Sequence, residues 1–466
     1  MLVAALLIVS CTSHRILRPV AEPVATTVDQ LRADEAHRDY VARHSIERHD
    51  NLQGHRPYSV SIVEFDDQGW LWNPGQVSAM RALIEQQAEG RGAVVVVFLH
   101  GWKNNAEVCN RNLACFRDAL QLLADHEARA ARALGAAPRA IVGVYPAWRG
   151  LSLRLARNFS FWGRKETAHR VGRGTAADVI AELAQIQQRL NQVHSVAPSR
   201  LIYIGHSFGA AVLYEAVAGV VKTHVVDALA SGARPPAAGG GAEPVVRGIG
   251  DLVVLVNPAF EASLYHDIDV RTHWAAGYSC RQTPVMMTVS SKGDWATRSF
   301  FPIGRWFSTI AQKARGRDQR AAMSQTIGNY EPFRTHTLCL ADASRRDVQR
   351  LRPRPATCEC PVRLEDTALP PPPADKVDDP CDIHLAASRQ LGVTQLTANR
   401  EIHGDNPFMV VRADTEVVTD HNGIFTAPFF EFLVRYVTLI DAKKRLLDGT
   451  PPARGAGGGQ VSRAIQ

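Results

Sequence analysis

The residues best suited to covalent chemistry lie in the pentapeptide Gly-His-Ser-Phe-Gly at positions 205–209. The preceding residues 201–204 are apolar and rich in strand formers, and residues 210–217 have the composition of a helix. A serine held on a sharp turn between a strand and a helix presents its hydroxyl at the end of a sheet, where a base can reach it. Glycine on either side of the turn lets the strand and the helix approach closely. The pattern therefore predicts that Ser207 is a nucleophile.

A serine hydroxyl is a weak nucleophile, so this prediction requires a base and an acid elsewhere in the chain. His421 follows the last predicted strand and His336 lies in an irregular region, and both are candidates for the base. Asp294 is the favoured acid, since Gly293 before it permits a tight turn after a buried strand. Glu261, which follows the preceding strand, is the alternative. The acid would fix the tautomer of the imidazole and stabilise the imidazolium.

Several segments have the features of strands that are buried on both faces, because they are continuous apolar runs. They span residues 93–99, 140–145, 201–204, 251–257, 284–290 and 408–412. Helical spacing separates them, in particular over residues 110–131, 175–193 and 429–447. Strands that alternate with helices predict an α/β fold with a doubly wound, mostly parallel sheet. A hairpin of residues 58–65 and 70–72 is predicted to open the domain.

Residues 58–445 resemble an α/β-hydrolase fold serine hydrolase of the esterase and lipase type. The resemblance rests on residues 98–102 (Phe-Leu-His-Gly-Trp), the serine turn, Gly293-Asp294 after a strand, and a histidine before the final helix. The family orders its triad as serine, acid and histidine along the chain. The resemblance implies the α/β-hydrolase fold, in which helices cover both faces of a mostly parallel sheet. Here a long insertion would separate the last two strands.

The same resemblance implies the roles of the site residues. His421 is favoured over His336 as the base that completes the triad with Asp294 and the serine, because the family places this histidine between the last strand and the last helix. The backbone amides of Trp102 and Phe208 would form the oxyanion hole. The expected reaction is the hydrolysis of carboxylic esters through an acyl-enzyme. This mechanism needs no metal ion and no organic cofactor.

Two other functions are compatible with the same features. An acyltransferase would use the same triad and pass the acyl group to another alcohol instead of water. A non-catalytic lipoprotein would keep the fold as a binding module. For the enzyme, the expected partner is a small-molecule or lipid ester. The net charge of +7 comes from scattered basic residues rather than from a basic stripe that alternates with aromatic residues, which argues against nucleic acid as a partner.

The first residues of the chain predict export. Residues 2–9 form an apolar run that is too short to span a bilayer, and Ser10 and Cys11 follow it. The run resembles a secretory signal, and a cysteine at this place resembles the lipobox of bacterial lipoproteins, although no Lys or Arg precedes the run. We expect a signal peptide over residues 1–10 and a lipid on Cys11 that anchors the protein to a bacterial membrane, facing the periplasm. Soluble secretion is the alternative.

The rest of the chain is predicted to be one domain with appendages. Residues 11–55 are polar and charged, which predicts a tether that leads into a helix over residues 28–43. The hydrolase-like domain is expected at residues 56–445, with a Pro-rich and partly irregular insertion at about 296–405. A Gly-rich tail at residues 446–466 is expected to remain loose.

The chain has eight cysteines, and export would allow them to form disulfides. Cys109 and Cys115 are close in sequence, and Cys358 or Cys360 could pair with Cys381. Seven cysteines follow the lipobox, so one thiol is left over, and the sequence alone does not determine the connectivity. A zinc site at Cys358 and Cys360 is a weak alternative, because the one-residue spacing has no second pair to complete it.

Overall fold

A computed structural model of the chain describes most of its residues. The described residues are 15–50, 54–150, 160–193, 197–232, 244–273, 277–303, 305, 312–341, 357–362, 379–399 and 405–448. The predicted signal peptide, its Cys11, the tail beyond residue 448 and most of the Pro-rich stretch lie outside the described residues. The predictions made for those segments remain predictions.

The described residues build one mixed sheet of twelve strands. These are β1 (Val20–Ala25), β2 (His44–His49), β3 (Tyr58–Glu64), β4 (Ala93–Leu99), β5 (Ala140–Ala147), β6 (Arg200–His206), β7 (Leu252–Val256), β8 (Met286–Ser291), β9 (His336–Leu340), β10 (Arg389–Leu391), β11 (Thr394–Ala398) and β12 (Phe408–Ala413). Their order is β1-β2-β3-β5-β4-β6-β7-β8-β12-β9-β11-β10. All neighbours from β3 across to β9 are parallel. The antiparallel pairs lie towards the two edges.

Helices cover both faces of this sheet. They are α1 (Val28–Ala33), α2 (Glu35–Val41), α3 (Pro74–Ala88), α4 (Arg111–Ala133), α5 (Ser160–Arg173), α6 (Thr175–Val193), α7 (Phe208–Gly232), α8 (Ala262–His273), α9 (Arg317–Ser324) and α10 (Ala427–Leu447). Alternate residues of β4 enter two different cores. Val95 and Val97 pack on the side of α3, α6 and α7, whereas Val94 and Val96 pack on the side of α4 and α10. This double burial explains the continuous apolar sequence of the strand.

The sheet and its helices confirm the predicted α/β architecture with a mostly parallel sheet. The strand at residues 93–99 and the helix at residues 175–193 have the predicted bounds. The ends of β5, β6, β7, β8 and β12 lie no more than two residues from their predicted positions. Long apolar runs bounded by turns are therefore reliable indicators in this chain.

The segment predicted as a polar tether, residues 11–55, instead contributes two strands over its described part. β1 pairs in parallel with β2, and β2 pairs with β3. The polar composition was misleading because some of its charges are buried and paired. Glu47 is fully buried and forms ion pairs with Arg18 at 3.1 Å and with Arg117 at 2.7 Å. A hydrophobicity pattern cannot identify a strand that is buried through ion pairs.

Two local predictions near the start of the domain also need correction. The single helix predicted over residues 28–43 is two short helices, because Asp34 ends α1 and caps α2 by accepting from the amide of His37 at 3.0 Å. The predicted hairpin after β3 is reduced to one antiparallel bridge between Phe65 and Leu71. The antiparallel partner of β3 is β2.

The predicted insertion at about residues 296–405 is more regular than expected. Its described residues include a π-helical turn (Ala296–Phe300), α9 and the strands β9, β10 and β11. β9 pairs in parallel with β12, so these strands extend the sheet past the strand that was predicted to be its last. β9, β10 and β11 are only three to five residues long, which is too short for their periodicity to distinguish a strand from a loop.

Three disulfides connect distant parts of the chain, Cys109–Cys358, Cys115–Cys360 and Cys280–Cys381. The first two join the start of α4 to residues 357–362. Cys381 does not take the pairing with Cys358 or Cys360 that the sequence left possible, because this part of the insertion folds back onto α4. The same two bonds leave no thiolates for the zinc site. Cys339 is the free cysteine among the described residues.

One helix of the described chain has the length and apolarity of a membrane span, over Phe208–Ser231 in α7. Its most apolar window is 56% buried. Val217, Val221 and Val225 belong to the core that α7 shares with α3 and α6. The apolarity of α7 is therefore explained by its position against the sheet.

Candidate active site

Ser207 is the single residue between the end of β6 and the start of α7. Its φ of 57° is left-handed, which costs about 1–3 kcal/mol in a residue other than glycine. The amide of Ser207 donates to the carbonyl of Val256 at 3.0 Å and thereby fixes the turn against β7. A Cβ at Gly205 would lie 2.7 Å from the backbone of α7, and a Cβ at Gly209 would lie 2.1 Å from the carbonyl oxygen of Leu99. The sharp turn therefore requires glycine at both positions.

The structure brings Ser207, His421 and Asp294 into one hydrogen-bonded series. His421 Nε2 lies 2.8 Å from Ser207 Oγ. Nδ1 of the same ring lies 3.0 Å from each carboxylate oxygen of Asp294. Because an ionised carboxylate only accepts hydrogen bonds, Nδ1 carries the proton and Nε2 can accept from the serine hydroxyl.

Asp294 is fully buried at the exit of β8. Thr297 donates to it twice, from its amide to Oδ1 at 3.0 Å and from its hydroxyl to Oδ2 at 2.6 Å. Burial by itself favours the neutral acid. The electrostatic interaction with His421 and the hydrogen bonds from His421 and Thr297 outweigh this effect and keep the pKa of Asp294 below its ordinary value. The acid is therefore a carboxylate at neutral pH.

The backbone around His421 is held by the ends of three neighbouring strands. The carbonyl of His421 accepts from His206 Nε2 at 2.7 Å and from Asn257 Nδ2 at 3.1 Å. Asn257 Nδ2 also donates to the carbonyl of Asp420 at 2.9 Å, and its Oδ1 accepts from the amide of Ser291 at 2.9 Å. Asn257 thus ties the histidine loop to the exits of β7 and β8.

His206 acts here as a neutral hydrogen-bond donor. Burial, together with the neighbouring His421, lowers the pKa of His206 to about 3. A carbonyl oxygen can only accept, so the single ring proton of His206 is on Nε2. His206 is therefore a hydrogen-bonded structural residue, and its partner is the loop that carries the candidate base.

The two residues expected to supply the oxyanion amides lie beside the serine. Phe208 is the next residue in the chain and the first residue of α7. Trp102 belongs to the loop after β4. Gly101 in that loop is so close to the turn that a Cβ on it would lie 2.8 Å from Ser207 Cβ. The loop after β4 and the start of α7 therefore flank the hydroxyl.

The loop after β4 is fixed to the exit of β5. His100 Nε2 accepts from the amide of Trp148 at 3.2 Å, and the indole of Trp148 donates to the carbonyl of His100 at 3.1 Å. The amide of Gly150 donates to the carbonyl of Asn104 at 3.0 Å. Burial lowers the pKa of His100 to about 4, so His100 is neutral at physiological pH. These contacts hold the loop after β4 against the exit of β5.

The alternative base and the alternative acid are engaged elsewhere. His336 on β9 is fully buried, and its Nε2 donates to the carbonyl of Ala386 at 2.8 Å. Glu261 forms ion pairs with Lys165 at 2.5 Å and with Arg305 at 2.6 Å. The structure thus brings together the favoured residues and not the alternatives.

The arrangement contains the parts of nucleophilic catalysis with a general base, namely a hydroxyl, an imidazole and a buried carboxylate. Ser207 is 1% exposed, whereas the side chain of His421 is 17% exposed. The imidazole is therefore the more exposed of the two groups. Among the residues that the structure describes, no group of three or more His, Cys, Asp or Glu side chains could hold a metal ion.

Sequence reasoning missed two residues that orient the base and the acid, Asn257 and Thr297. Asn257 has a left-handed φ of 45°, which asparagine tolerates better than most residues. A usable signal was its place directly after a buried strand, at the sheet edge where the other polar candidates lie. Thr297 follows Asp294 by three residues, the spacing at which an aspartate accepts from a backbone amide at a helix start. That spacing was visible in the sequence.

Comparisons of the chain with protein-family models, with curated proteins and with solved structures find no match.

Proposed function

We propose that the protein is an α/β-hydrolase fold serine hydrolase that cleaves carboxylic esters through an acyl-enzyme on Ser207. The observation that supports this most directly is the hydrogen-bonded series from Ser207 Oγ through His421 to Asp294, with distances of 2.8 Å and 3.0 Å. A buried carboxylate that orients an imidazole beside a serine is the arrangement that activates a hydroxyl for acyl transfer.

The position of the serine in the sheet also supports the proposal. Ser207 follows β6, which lies between β4 and β7 near the middle of the parallel region. In open α/β sheets, ligands bind beyond the carboxyl ends of the strands. The candidate residues all follow the carboxyl ends of their strands, at β6 for the serine, β8 for the acid and β12 for the base.

In the proposed reaction, Ser207 Oγ attacks the ester carbonyl carbon while its proton moves to His421 Nε2. Asp294 stabilises the imidazolium that forms. The negative charge on the former carbonyl oxygen is met by the amides of Trp102 and Phe208, and each such donor typically contributes about 3 kcal/mol to the barrier reduction. The imidazolium then gives its proton to the leaving alcohol, which departs and leaves the acyl group on the serine.

The second half of the reaction repeats these steps with water. His421 removes a proton from a water molecule, whose oxygen attacks the acyl carbonyl carbon. The proton then returns from His421 to Ser207 Oγ as the carboxylic acid leaves. The rigid turn at Ser207 and the fixed loop after β4 keep the donors and the nucleophile in place through both halves.

We further propose that the enzyme works outside the cytosol, with Cys11 as its lipid anchor, on small-molecule or lipid esters near a membrane. The three disulfides support an oxidising compartment, because such bonds are rare in cytosolic proteins. Cys11→Ser is expected to move the protein from the membrane fraction to the soluble fraction. Unchanged fractionation would contradict the anchor.

The direct test of the proposed activity is turnover of p-nitrophenyl esters of increasing acyl length by the oxidised full chain. We expect turnover by the native sequence and a loss of up to about 10⁶-fold in kcat for Ser207→Ala. Far-ultraviolet circular dichroism would confirm that the variant is folded. Equal turnover by the folded variant would contradict the nucleophile, and the acyl length that gives the highest kcat/KM would define the substrate class.

A further inference from the structure

A series of side chains leads from Asp294 into the predicted insertion and back to the sheet. The hydroxyl of Thr297 lies 2.6 Å from Asp294 Oδ2. Asn329 Nδ2 lies 3.1 Å from the same hydroxyl, and Arg412 Nη1 lies 2.8 Å from Asn329 Oδ1. Asn329 follows α9, and Arg412 belongs to β12. The insertion therefore contacts the hydrogen-bond partner of the acid.

The chemistry of the groups determines the direction of every hydrogen bond in this series. A guanidinium only donates, so the amide of Asn329 presents its oxygen to Arg412 and its nitrogen to Thr297. The Thr297 hydroxyl accepts from that nitrogen and donates to Asp294, whose carboxylate only accepts. All bonds run the same way, from a cation to an anion. Hydrogen bonds aligned in this way polarise and strengthen one another.

The two residues that flank Asn329 in the series are buried, and Asn329 itself is partly exposed. Thr297 is 2% exposed and Arg412 is 7% exposed. Arg334 Nη2 donates to the carbonyl of Asn329 at 2.9 Å, which holds the backbone of this residue. Burial, with Arg334 and Arg298 nearby, lowers the pKa of Arg412 to about 10. Arg412 therefore remains positively charged at neutral pH.

We propose that Thr297, Asn329 and Arg412 are positioning residues that orient Asp294 and withdraw negative charge from its carboxylate. The inference rests on the proposed function, in which Asp294 is the acid of the triad. Each donor on the carboxylate competes with the N–H of His421 for the same negative charge. Without these donors, the imidazole would face more negative charge and bind a proton at higher pH. The carboxylate would also be free to rotate away from it.

Other titratable and charged groups surround this part of the site. They are His206 at the end of β6, Lys292 paired with Asp414, and Arg298 and Arg334 in the insertion. His206 stays neutral above its pKa of about 3, and the charge of Lys292 is compensated by its partner. Removing the Thr297 hydroxyl changes none of these charges, so its effect reports on the series alone.

The test compares the pH dependence of kcat/KM for p-nitrophenyl acetate among variants. Thr297→Val is expected to lower kcat/KM about tenfold, the usual effect of losing one hydrogen bond to a charged group. It should also move the acidic limb of the profile to higher pH by about half a unit. Thr297→Ser keeps the hydroxyl and should restore both values. Arg412→Met should move the limb in the same direction.

Thr394→Val is the matched control, because Thr394 on β11 is also buried and its hydroxyl donates to the carbonyl of Leu391 on β10 at 2.8 Å. We expect this variant to lose stability with no shift of the acidic limb. The inference is overturned if Thr297→Val keeps the native limb, or if Thr394→Val shifts it equally. If Thr297→Val does not fold, the limb of Asn329→Leu, which breaks the series without removing a charge, decides between the two outcomes.

A second readout separates this inference from the proposed function. If the native protein neither turns over esters nor reacts at Ser207, the proposed function fails. The downfield proton resonance of His421 Nδ1–H, identified by its absence in His421→Ala, still reports on the hydrogen bond to Asp294. A shift of this resonance in Thr297→Val but not in Thr394→Val supports the positioning role. Identical spectra for Thr297→Val and the native protein overturn it.

Discussion

The two ends of the parallel strands both carry charged residues, but the charges have different partners. At the amino ends of β6 and β7, Arg200 and Asp251 meet Asp441 and Lys444 of α10. Arg139, directly before β5, pairs with the same Asp441 at 3.3 Å. These carboxylates therefore face guanidinium and ammonium groups, which remain charged at every physiological pH.

At the carboxyl end of β8, Asp294 has no Lys or Arg among the described residues as its direct partner. It receives hydrogen bonds from a threonine and from the imidazole of His421, the candidate general base. A carboxylate that is neutralised by arginine stabilises a fold. A carboxylate that faces an imidazole stabilises the imidazolium that forms when the imidazole takes a proton from a hydroxyl group. The comparison indicates why one end of the sheet is structural and the other is the candidate active site.

The largest effect on activity is expected at the candidate base. His421→Ala should lower kcat by about 10⁶-fold, because the nucleophile and the base act as a unit in such triads. His336→Ala is the control, since it removes a buried imidazole away from the serine and should leave kcat within about twofold if the fold is kept. Steady-state kinetics with a p-nitrophenyl ester measures both. A larger loss in His336→Ala would place the base in the insertion.

A smaller effect is expected at His206, which holds the backbone of the base. His206→Leu removes the bond to the His421 carbonyl and leaves that carbonyl with Asn257 alone. We expect kcat to fall about 10–100-fold, corresponding to about 1–3 kcal/mol for a buried hydrogen bond. His336→Leu removes a similar bond, from Nε2 to the carbonyl of Ala386 at 2.8 Å. His336→Leu should reduce stability with little change in kcat. Equal losses of kcat in His206→Leu and His336→Leu would contradict the role of His206 in holding the base.

The smallest effect on activity is expected at the amino ends of the strands. Asp441→Asn should leave kcat nearly unchanged but lower the free energy of unfolding by about 3 kcal/mol, because it leaves Arg139 and Arg200 buried without their shared partner. Urea unfolding at neutral pH measures this loss. A decrease in kcat without a loss of stability would contradict the separation between the two ends of the sheet.

The same carboxylate predicts a pH dependence of stability. Burial disfavours the charged form of Asp441, yet Arg139 and Arg200 hold its pKa well below the ordinary value. A lowered folded-state pKa contributes stability that is fully present above the unfolded value of about 4 and is lost as the pH falls towards the folded value. The native protein should therefore lose stability below about pH 4, and Asp441→Asn should lose less over the same range. If the free energy of unfolding falls with pH equally steeply in the native protein and in Asp441→Asn, this contribution of Asp441 is contradicted.

The sequence predicts the centre of the molecule better than its edges. The strand at residues 93–99 is an apolar run because both its faces are covered, so its composition alone identifies it. β2 is buried through the ion pairs of Glu47, and its polar sequence resembles a solvated segment. β10 has three residues, so its pattern carries almost no periodicity. The hydrophobicity pattern of the sequence is a weak guide where a strand is buried through charge pairs or where the strand is very short.

The candidate site shows the same division. Ser207 could be predicted because glycine on both sides and the strand-to-helix context are local features of the sequence. The choice of His421 over His336 depended on the order of elements and not on the residues around each histidine. Asn257 was missed because its role depends on atoms that the fold brings together from distant parts of the chain. Thr297 was missed although its bond to Asp294 is local, because a threonine three residues after an aspartate also occurs at ordinary helix starts.

The most direct test of the central claim is reaction with a fluorophosphonate probe, which traps a serine that is activated by a base. We expect covalent labelling of the native protein, with the adduct mapped by mass spectrometry to Ser207, and no labelling of folded Ser207→Ala or His421→Ala. Labelling at another residue, or a folded native protein that stays unlabelled, would contradict the assignment of Ser207 as the nucleophile.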